Sequence, residues 1–495
     1  MWSYLIINDF LYLISEFFML ISFFFLFFIC IYISNKYIII KNNIIFISTF
    51  IKILNNIFII IFIFLIIIYK LDLNNLKILF YGQIYINYYI QISKLIILIL
   101  TIINFLIFNF YLKKNKILNF ELLILLYISL ISMLFILNIN DFLYFYIVIE
   151  IQSFCFYIIT SLKKNNINSI ISSLKYYMFN ALISCLLLFS IVLLYSSLGL
   201  TNLKEIFLFL ITLKYNKIIL LEFIIIYIIL LFKLTIVPFH LWIPEIYYNI
   251  SSILTLFFNI IPKFSFIIIL IKFLNIIFYN FIEFWQIFLI INIILSLIIS
   301  SLNTLIQIKL KNFLIYSSLM HIGYILLGIT TGTIEGIQST LFYFLTYILS
   351  IINIWSIYIY MNNNIKYISN LSNIYNYNKV LSFNFIITIF SMAGIPPMIG
   401  FLSKFYSFFV CIKNELYFLV IISILLSIIS IFYYLKILKI IYFENYNKNI
   451  IFEINNNIKI ISIIISFTSI LLIYLFINPL NLYIFLHKIS FSLCL

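Results

Sequence analysis

The chain reads as long apolar runs separated by short clusters of lysine, asparagine and aspartate. Cutting at those clusters leaves about fourteen runs near the ~20 residues that a helix needs to cross a hydrocarbon layer. They lie near 10–34, 43–69, 93–112, 117–138, 140–162, 172–198, 217–237, 249–272, 276–300, 305–329, 337–360, 380–412, 415–443 and 457–478. None alternates with period two, which argues against a membrane barrel. The expected fold is an all-α polytopic membrane protein of about fourteen transmembrane helices. The longest polar stretches, about 70–92 and 361–379, are too short to bury a core of their own. Gly332 and Gly336 fall in an interhelical turn with no strand before it, so no nucleotide-binding glycine loop is expected.

Composition agrees. Of 495 residues, 66% are hydrophobic and only 9% charged, against ~25% charged in soluble domains. Mean hydropathy is +1.25. A soluble enzyme, a disordered chain and a nucleic-acid binder are excluded. The net charge of +15 would otherwise suggest phosphate partners, but the lysines sit between apolar runs. Arginine is absent, alanine occurs only at Ala181 and Ala393, and there are 57 Phe and 39 Tyr. Residues with GC-rich codons are depleted together, which points to an AT-rich organelle genome. The opening MWSYLIINDF has no basic amphipathic presequence, as expected for an inner-membrane protein made inside the organelle. Sixteen lysines fall in loops after odd-numbered spans and nine in the even loops and C-terminus. The positive-inside rule then puts the odd loops on the matrix side and both termini on the intermembrane-space side.

Cys30, Cys155, Cys185, Cys411 and Cys494 form no CxxC and read as apolar core residues, so neither metal nor iron–sulfur ligation is expected. The candidate chemistry lies in ionisable groups inside spans, which are functional by default because their cost in hydrocarbon must be offset. Glu150, Lys233, Lys263 and Lys404 qualify. Each has a structural alternative, an interhelical ion pair or a snorkelling lysine, and Lys52, nearer a span end, reads as the latter. Low dielectric disfavours an ammonium and a nearby carboxylate restores it. A row of such lysines therefore works as a gated proton relay, with Glu150 and Lys233 as its first switch. Prolines and glycines cluster at the same places. Pro238 follows Lys233, Pro262 precedes Lys263, and Gly394, Pro396, Pro397 and Gly400 precede Lys404. Broken helices are expected there, a feature of ion sites in transporters. Ser317, His321 and Tyr324 share one helical face. His321 suits either proton transfer or an interhelical hydrogen bond. His240, in PFHLWIPE, reads as a structural or gating residue beside Trp242, an interfacial anchor.

The segments LLFKLTIVPFHLWIPEIY, NIIPKF, LKNFLIYSSLMHIGYILLGI and MAGIPPMIGFLSKFY resemble the antiporter-like subunits of respiratory complex I. The likeness spans roughly 140–410. PFHLWIPE, the Pro-Lys of IIPKF and a lysine at 404 favour the subunit 2 branch. The resemblance implies two inverted five-helix repeats, at 117–272 and 273–443, flanked by N-terminal helices at 1–116 and a C-terminal helix and tail at 444–495. It gives Glu150, Lys233, Lys263 and Lys404 the roles of the family's helix-five glutamate and its helix-seven, helix-eight and helix-twelve lysines. The implied function is proton translocation by a membrane-arm subunit of NADH:ubiquinone oxidoreductase. Such a subunit binds no redox cofactor; flavin, iron–sulfur clusters and quinone belong elsewhere in the complex. Its partners are other membrane-arm subunits, neighbouring antiporter-like ones among them, and the lipid bilayer. A cation/proton antiporter subunit of the same superfamily is the alternative. The family's Lys-Arg before YSS is here Lys311-Asn312, which leaves a second charge missing.

Overall fold

A computed structural model describes residues 9–494 except 11, 40–43, 72–76, 116–119, 163–165, 213–216, 362–365 and 445–458. In chain order its helices are α1 (Ile14–Ile39), α2 (Ile44–Leu71), α3 (Tyr88–Asn115), α4 (Glu121–Leu137), α5 (Phe142–Ser161), α6 (Ile167–Leu198), α7 (Leu203–Thr212), α8 (Lys217–Leu234), α9 (Trp242–Asn249) and α10 (Ser252–Lys272). There follow α11 (Ile282–Ile306), α12 (Leu310–Ile329), α13 (Ile334–Tyr360), α14 (Ile374–Tyr377), α15 (Lys379–Ala393), α16 (Ile399–Lys413), α17 (Tyr417–Phe443), α18 (Lys459–Ile477) and α19 (Leu480–Cys494). Eleven helices among the described residues are long and apolar enough to cross a membrane. The protein is an all-α, multi-pass membrane protein.

Local chemistry explains these helices. In lipid every backbone group must be satisfied within the segment, which forces helix whatever the intrinsic preference of isoleucine. Short polar side chains close the ends. Asp141 caps α5 through Leu143 N at 2.8 Å, Thr333 caps α13 through Gly336 N at 3.1 Å, and Asn378 caps α15 through Val380 N at 3.0 Å. Serines inside the spans donate to the carbonyl three residues back, as Ser129 does to Leu126 and Ser391 to Thr388, so their hydroxyls are not left unpaired in hydrocarbon.

The chain divides into two compact units. Unit 1 holds Met1–Ile229 and Phe264–Ile269. Within it α1 packs on α4, α2 on α3, and α5 on both α4 and α6. The polar stretch after α2 carries an antiparallel hairpin, β1 (Lys77–Leu79) and β2 (Ile84–Ile86), with Ile78 opposite Tyr85. Unit 2 holds Leu230–Lys263 and Leu270–Leu495. Its centre is α12 and α13, which are buried along nearly their whole length. Helices apolar on every side belong in such a position. Around them α13 packs on α15, α16, α18 and α19, α12 on α9 and α16, and α11 on both α12 and α17.

The structure corrects several expectations. The run at 380–412 is two helices, α15 and α16, which meet at the break expected before Lys404. Pro262 does not break its helix: α10 runs continuously from Ser252 to Lys272. Proline leaves the carbonyl four residues back without its donor, and here the Tyr247 hydroxyl donates to that carbonyl, Phe258 O, at 3.4 Å. Gly400 lies inside the first turn of α16 rather than in the break. Cys185 is exposed, whereas Cys30, Cys155 and Cys411 are buried. Lys94, counted above among loop lysines, is buried within α3, and Lys311 is buried within α12. Residues 1–8, on which the presequence expectation rests, lie outside the described residues, as do Lys41, Lys116, Lys163, Lys164, Lys214 and Lys448.

One prediction arises from α10. Tyr247→Phe keeps the ring but removes the donor to Phe258 O, at a cost of about 1 kcal/mol. A thermal-unfolding midpoint measured in detergent should fall by a few degrees. An unchanged midpoint would mean that the proline carbonyl is satisfied by another route.

Candidate functional site

Two helix breaks in unit 2 frame the candidate site. The first lies between α8 and α9, the second between α15 and α16. Both begin with the same helix ending. Ile236 N donates to Leu231 O and Ile395 N to Phe390 O, each at 3.0 Å, around a left-handed residue, Thr235 (φ 69°) or Gly394 (φ 76°). A β-branched residue at positive φ is an outlier, and such strain collects at functional positions. Pro238, Pro396 and Pro397 sit in these breaks, as expected. Among the described residues the first break buries two polar atoms with no hydrogen-bond partner, Thr235 Oγ1 and His240 Nδ1. Lys233 lies in the last turn of α8, half-buried, just before that break.

Lys404 is in the second turn of α16, and its side chain reaches back to the second break. Nζ donates to Ala393 O, at the C-terminus of α15, at 2.8 Å. The ammonium thus caps orphan carbonyls at the negative end of a helix. Gly394 is required twice over: its φ is left-handed, and a Cβ there would lie 2.7 Å from Lys404 Cδ. At Gly400 a Cβ would meet Ser391 O at 1.7 Å, so α15 and α16 touch backbone to backbone. Lys404 Nζ also lies 5.0 Å from the centre of the Tyr324 ring, within cation–π range.

Lys263, on α10, is buried, with 1% of its surface exposed. Its Nζ donates to Asn259 Oδ1, one turn earlier, at 2.9 Å, and lies 5.9 Å from the Tyr247 ring. His321, on α12, is buried and hydrogen-bonded on both ring nitrogens: Nδ1 to Tyr343 Oη at 3.0 Å and Nε2 to Tyr434 Oη at 3.2 Å. Tyr347 packs on the imidazole at 5.1 Å between centroids. On the other side, Tyr343 stacks on Tyr324 at 6.1 Å, and Tyr324 faces Lys404. A line of ionisable and hydroxyl groups therefore runs through unit 2 from Tyr347 through His321, Tyr343 and Tyr324 to Lys404, and Lys263 with Tyr247 forms a second group in the same unit. Of the expected site residues, the structure connects His321 and Lys404 through Tyr343 and Tyr324, and it places Lys263 on α10 of the same unit.

Tyr247, Tyr343, Tyr347, Tyr434 and Asn259 were not foreseen, whereas Tyr324 was singled out with His321. Lys311 was read above as a loop lysine. It donates to the carbonyls of Tyr248 at 2.9 Å and Ile250 at 2.5 Å, closing the C-terminus of α9. A single lysine does this, with Asn312 next to it. In unit 1, Glu150 sits on α5 and is half-buried. Its Oε2 accepts from Ser153 Oγ at 3.4 Å, and its Oε1 has no partner among the described residues. Glu222, also missed, is fully buried on α8 and accepts from Ser197 Oγ at 3.3 Å. Among the described residues no cluster of three metal-ligating side chains occurs.

The family model described as NADH:quinone oxidoreductase/Mrp antiporter, transmembrane, matches residues 139–430. The chain belongs to that family. The matched segment contains Glu150, Lys233, Lys263, His321, Lys404 and both breaks. NADH-quinone oxidoreductase subunit N of Pelagibacter ubique is 33% identical over 294 residues, 58% of this chain and 62% of its own. NADH-ubiquinone oxidoreductase chain 2 of Marchantia polymorpha is 34% identical over 292 residues, 57% of this chain and 59% of its own. The chain thus spans about three fifths of the length of these curated relatives. The resemblance to antiporter-like subunits is borne out. Solved structures share the antiporter-like fold. A chain of respiratory complex I from Thermus thermophilus, with bound aureothin, superposes with TM-score 0.72 at 19% identity, covering 88% of this chain and 96% of that one. A chain of the Mrp complex from Dietzia sp. gives 0.78 at 14% identity, covering 97% of each.

Proposed function

We propose that the chain is a membrane-arm subunit of a proton-translocating NADH:ubiquinone oxidoreductase and moves protons between Lys263 and Lys404 by way of His321. The observation that carries this reading is the burial of two lysines in one unit, with Lys404 connected to His321 through Tyr324 and Tyr343. An ammonium at membrane depth costs several kcal/mol unless it is paired or hydrated. Here neither lysine has a carboxylate partner among the described residues; each rests on an amide or carbonyl oxygen and an aromatic face. Such an ammonium gives up its proton more readily than a salt-bridged one. A neutral imidazole with tyrosine hydroxyls on both nitrogens accepts on one side and donates on the other. Protons then hop from group to group as the tautomer resets, with water joining the gaps. The subunit itself needs no redox group. Electrons, flavin, iron–sulfur clusters and quinone belong to partner subunits, and the membrane is the mitochondrial inner membrane.

The Mrp likeness in fold supports a second reading, a cation/proton antiporter subunit. Purification from native membranes separates the two. Comigration with flavin- and iron–sulfur-bearing subunits supports the first reading, and an assembly without them supports the second.

We propose Glu150, in unit 1, and Lys233, in unit 2, as further ionisable groups that the pumping depends on. Removing Glu150 alone takes a countercharge from the relay. The double replacement Glu150→Gln with Lys233→Met is therefore expected to harm pumping less than the two single losses multiplied together. A double-mutant cycle on proton uptake measures this. Strict additivity would mean that the two groups act independently, while leaving the rest of the relay standing.

A further inference from the structure

Outside the segment that the family model matches, unit 1 buries a second pair of opposite charges. Lys94 Nζ of α3 donates to Glu16 Oε1 of α1, and their side chains are 1% and 3% exposed. Glu16 Oε2 accepts from Ser15 Oγ at 2.5 Å, and Oε1 accepts also from Asn138 Nδ2, just beyond α4, at 3.3 Å. Lys94 Nζ lies 5.2 Å from the ring centre of Tyr69, on α2. Four helices thus converge on one ion pair.

A tie between helices does not require this chemistry. Taking two charges out of water costs more than their attraction reliably returns, and apolar side chains of the same volume hold helices at least as well. The placement suggests another use. The pair sits at the hairpin end of unit 1, where polar groups continue outward. Tyr85 N donates to Asn138 O at 3.0 Å. Asn140 Nδ2 donates to Gly82 O at 2.6 Å and to Asn202 Oδ1 at 3.1 Å. Thr201 Oγ1 donates to Asp141 Oδ2 at 2.9 Å. Along this ladder Asn138 Oδ1 and Tyr144 Oη are buried with no partner among the described residues. Polar atoms in that state hold water or pay a desolvation cost.

We propose that Glu16 and Lys94 form a second proton-exchange site, in the N-terminal helices, served by water along Asn138 and Tyr144. The inference rests on the proton-pumping reading above. In the first step an N–H bond of the Lys94 ammonium breaks as an O–H bond forms on Glu16, and both charges vanish together. The Lys94 amine then takes a proton from a hydronium on the hairpin side, so the pair carries one extra proton. Loss of the carboxyl proton from Glu16 to water restores the ionic form. One proton is loaded and one released, and no other reactant is needed.

The decisive variant is Lys94→Arg, made in the assembled respiratory complex. A guanidinium keeps the ion pair with Glu16 but does not give up its proton in a protein. The measurement is proton uptake per quinone reduced in sealed vesicles, with Lys404→Met prepared in parallel. The proposal predicts an assembled Lys94→Arg complex whose proton yield falls about twofold or more. Glu16→Gln with Lys94→Gln, which keeps a neutral hydrogen-bonded pair, should fall likewise, and it decides the matter if the arginine does not assemble. Normal pumping by either assembled variant, beside a defective Lys404→Met, would make the pair a structural tie and overturn the proposal. So would failure of both variants to assemble. If Lys404→Met also pumps normally, the pumping reading itself falls and the pair falls with it.

Discussion

Lys404→Met should leave the complex assembled but lower proton pumping and quinone reduction together, by tenfold or more. Methionine is unbranched and of similar length, so it fills the space between α15 and α16 without strain. What it cannot do is hold a proton or donate to Ala393 O, the bond that now closes α15 at 2.8 Å. Losing that bond costs about 1–3 kcal/mol of local stability, since a carbonyl is left orphaned. That is small against the stability of a helix bundle of this size. The expected defect is therefore in activity rather than in assembly. Parallel measurement of proton uptake and quinone reductase rate in sealed vesicles checks it. Normal pumping by an assembled mutant would remove Lys404 from the relay.

Gly394→Ala should produce nearly the same defect without touching an ionisable group. Alanine at φ 76° costs about 1–2 kcal/mol in the left-handed region. Its Cβ would also fall 2.7 Å from Lys404 Cδ and 3.2 Å from Nζ. Backbone held by the Ile395-to-Phe390 bond does not yield easily, so the lysine side chain moves instead. It then loses Ala393 O and shifts over the Tyr324 ring. Pumping should fall several-fold and the thermal midpoint by a few degrees. Gly394→Asn is the control, since asparagine tolerates positive φ better but still presents a Cβ to Lys404. If Asn restores stability but not pumping, the displaced lysine is the cause. If it restores both, backbone strain alone was at fault.

The spans were legible because lipid leaves the chain few options: a long apolar run without alternation is a helix. Lys263, His321 and Lys404 were legible because ionisable groups in such runs stand out against their background. Where the reading failed, the missing information was non-local. Pro262 looked like a break because proline deprives Phe258 of its donor, and the sequence does not show that Tyr247 supplies another. The break at Gly394 and Pro397 was visible, yet the run at 380–412 was counted as one span because hydropathy continues across it. Lys94 was counted with the loops because it falls one residue inside the expected edge at 93, whereas the helix begins at Tyr88 and carries Lys94 in its second turn. Tyr343, Tyr347 and Tyr434 carried no signal among 39 tyrosines. In this composition a tyrosine is as ordinary as a phenylalanine, and only its neighbours reveal which hydroxyls do chemistry.

The central claim is that Lys263, His321 and Lys404 belong to one hydrated line that carries protons within the membrane. An experimental density map of the assembled complex in a lipid bilayer, sharp enough to show ordered water, tests it most directly. The account predicts that the three side chains lie at similar depth near the bilayer midplane, with waters joining the tyrosines between them. Side chains scattered in depth, or Lys263 or Lys404 turned toward lipid, would contradict it.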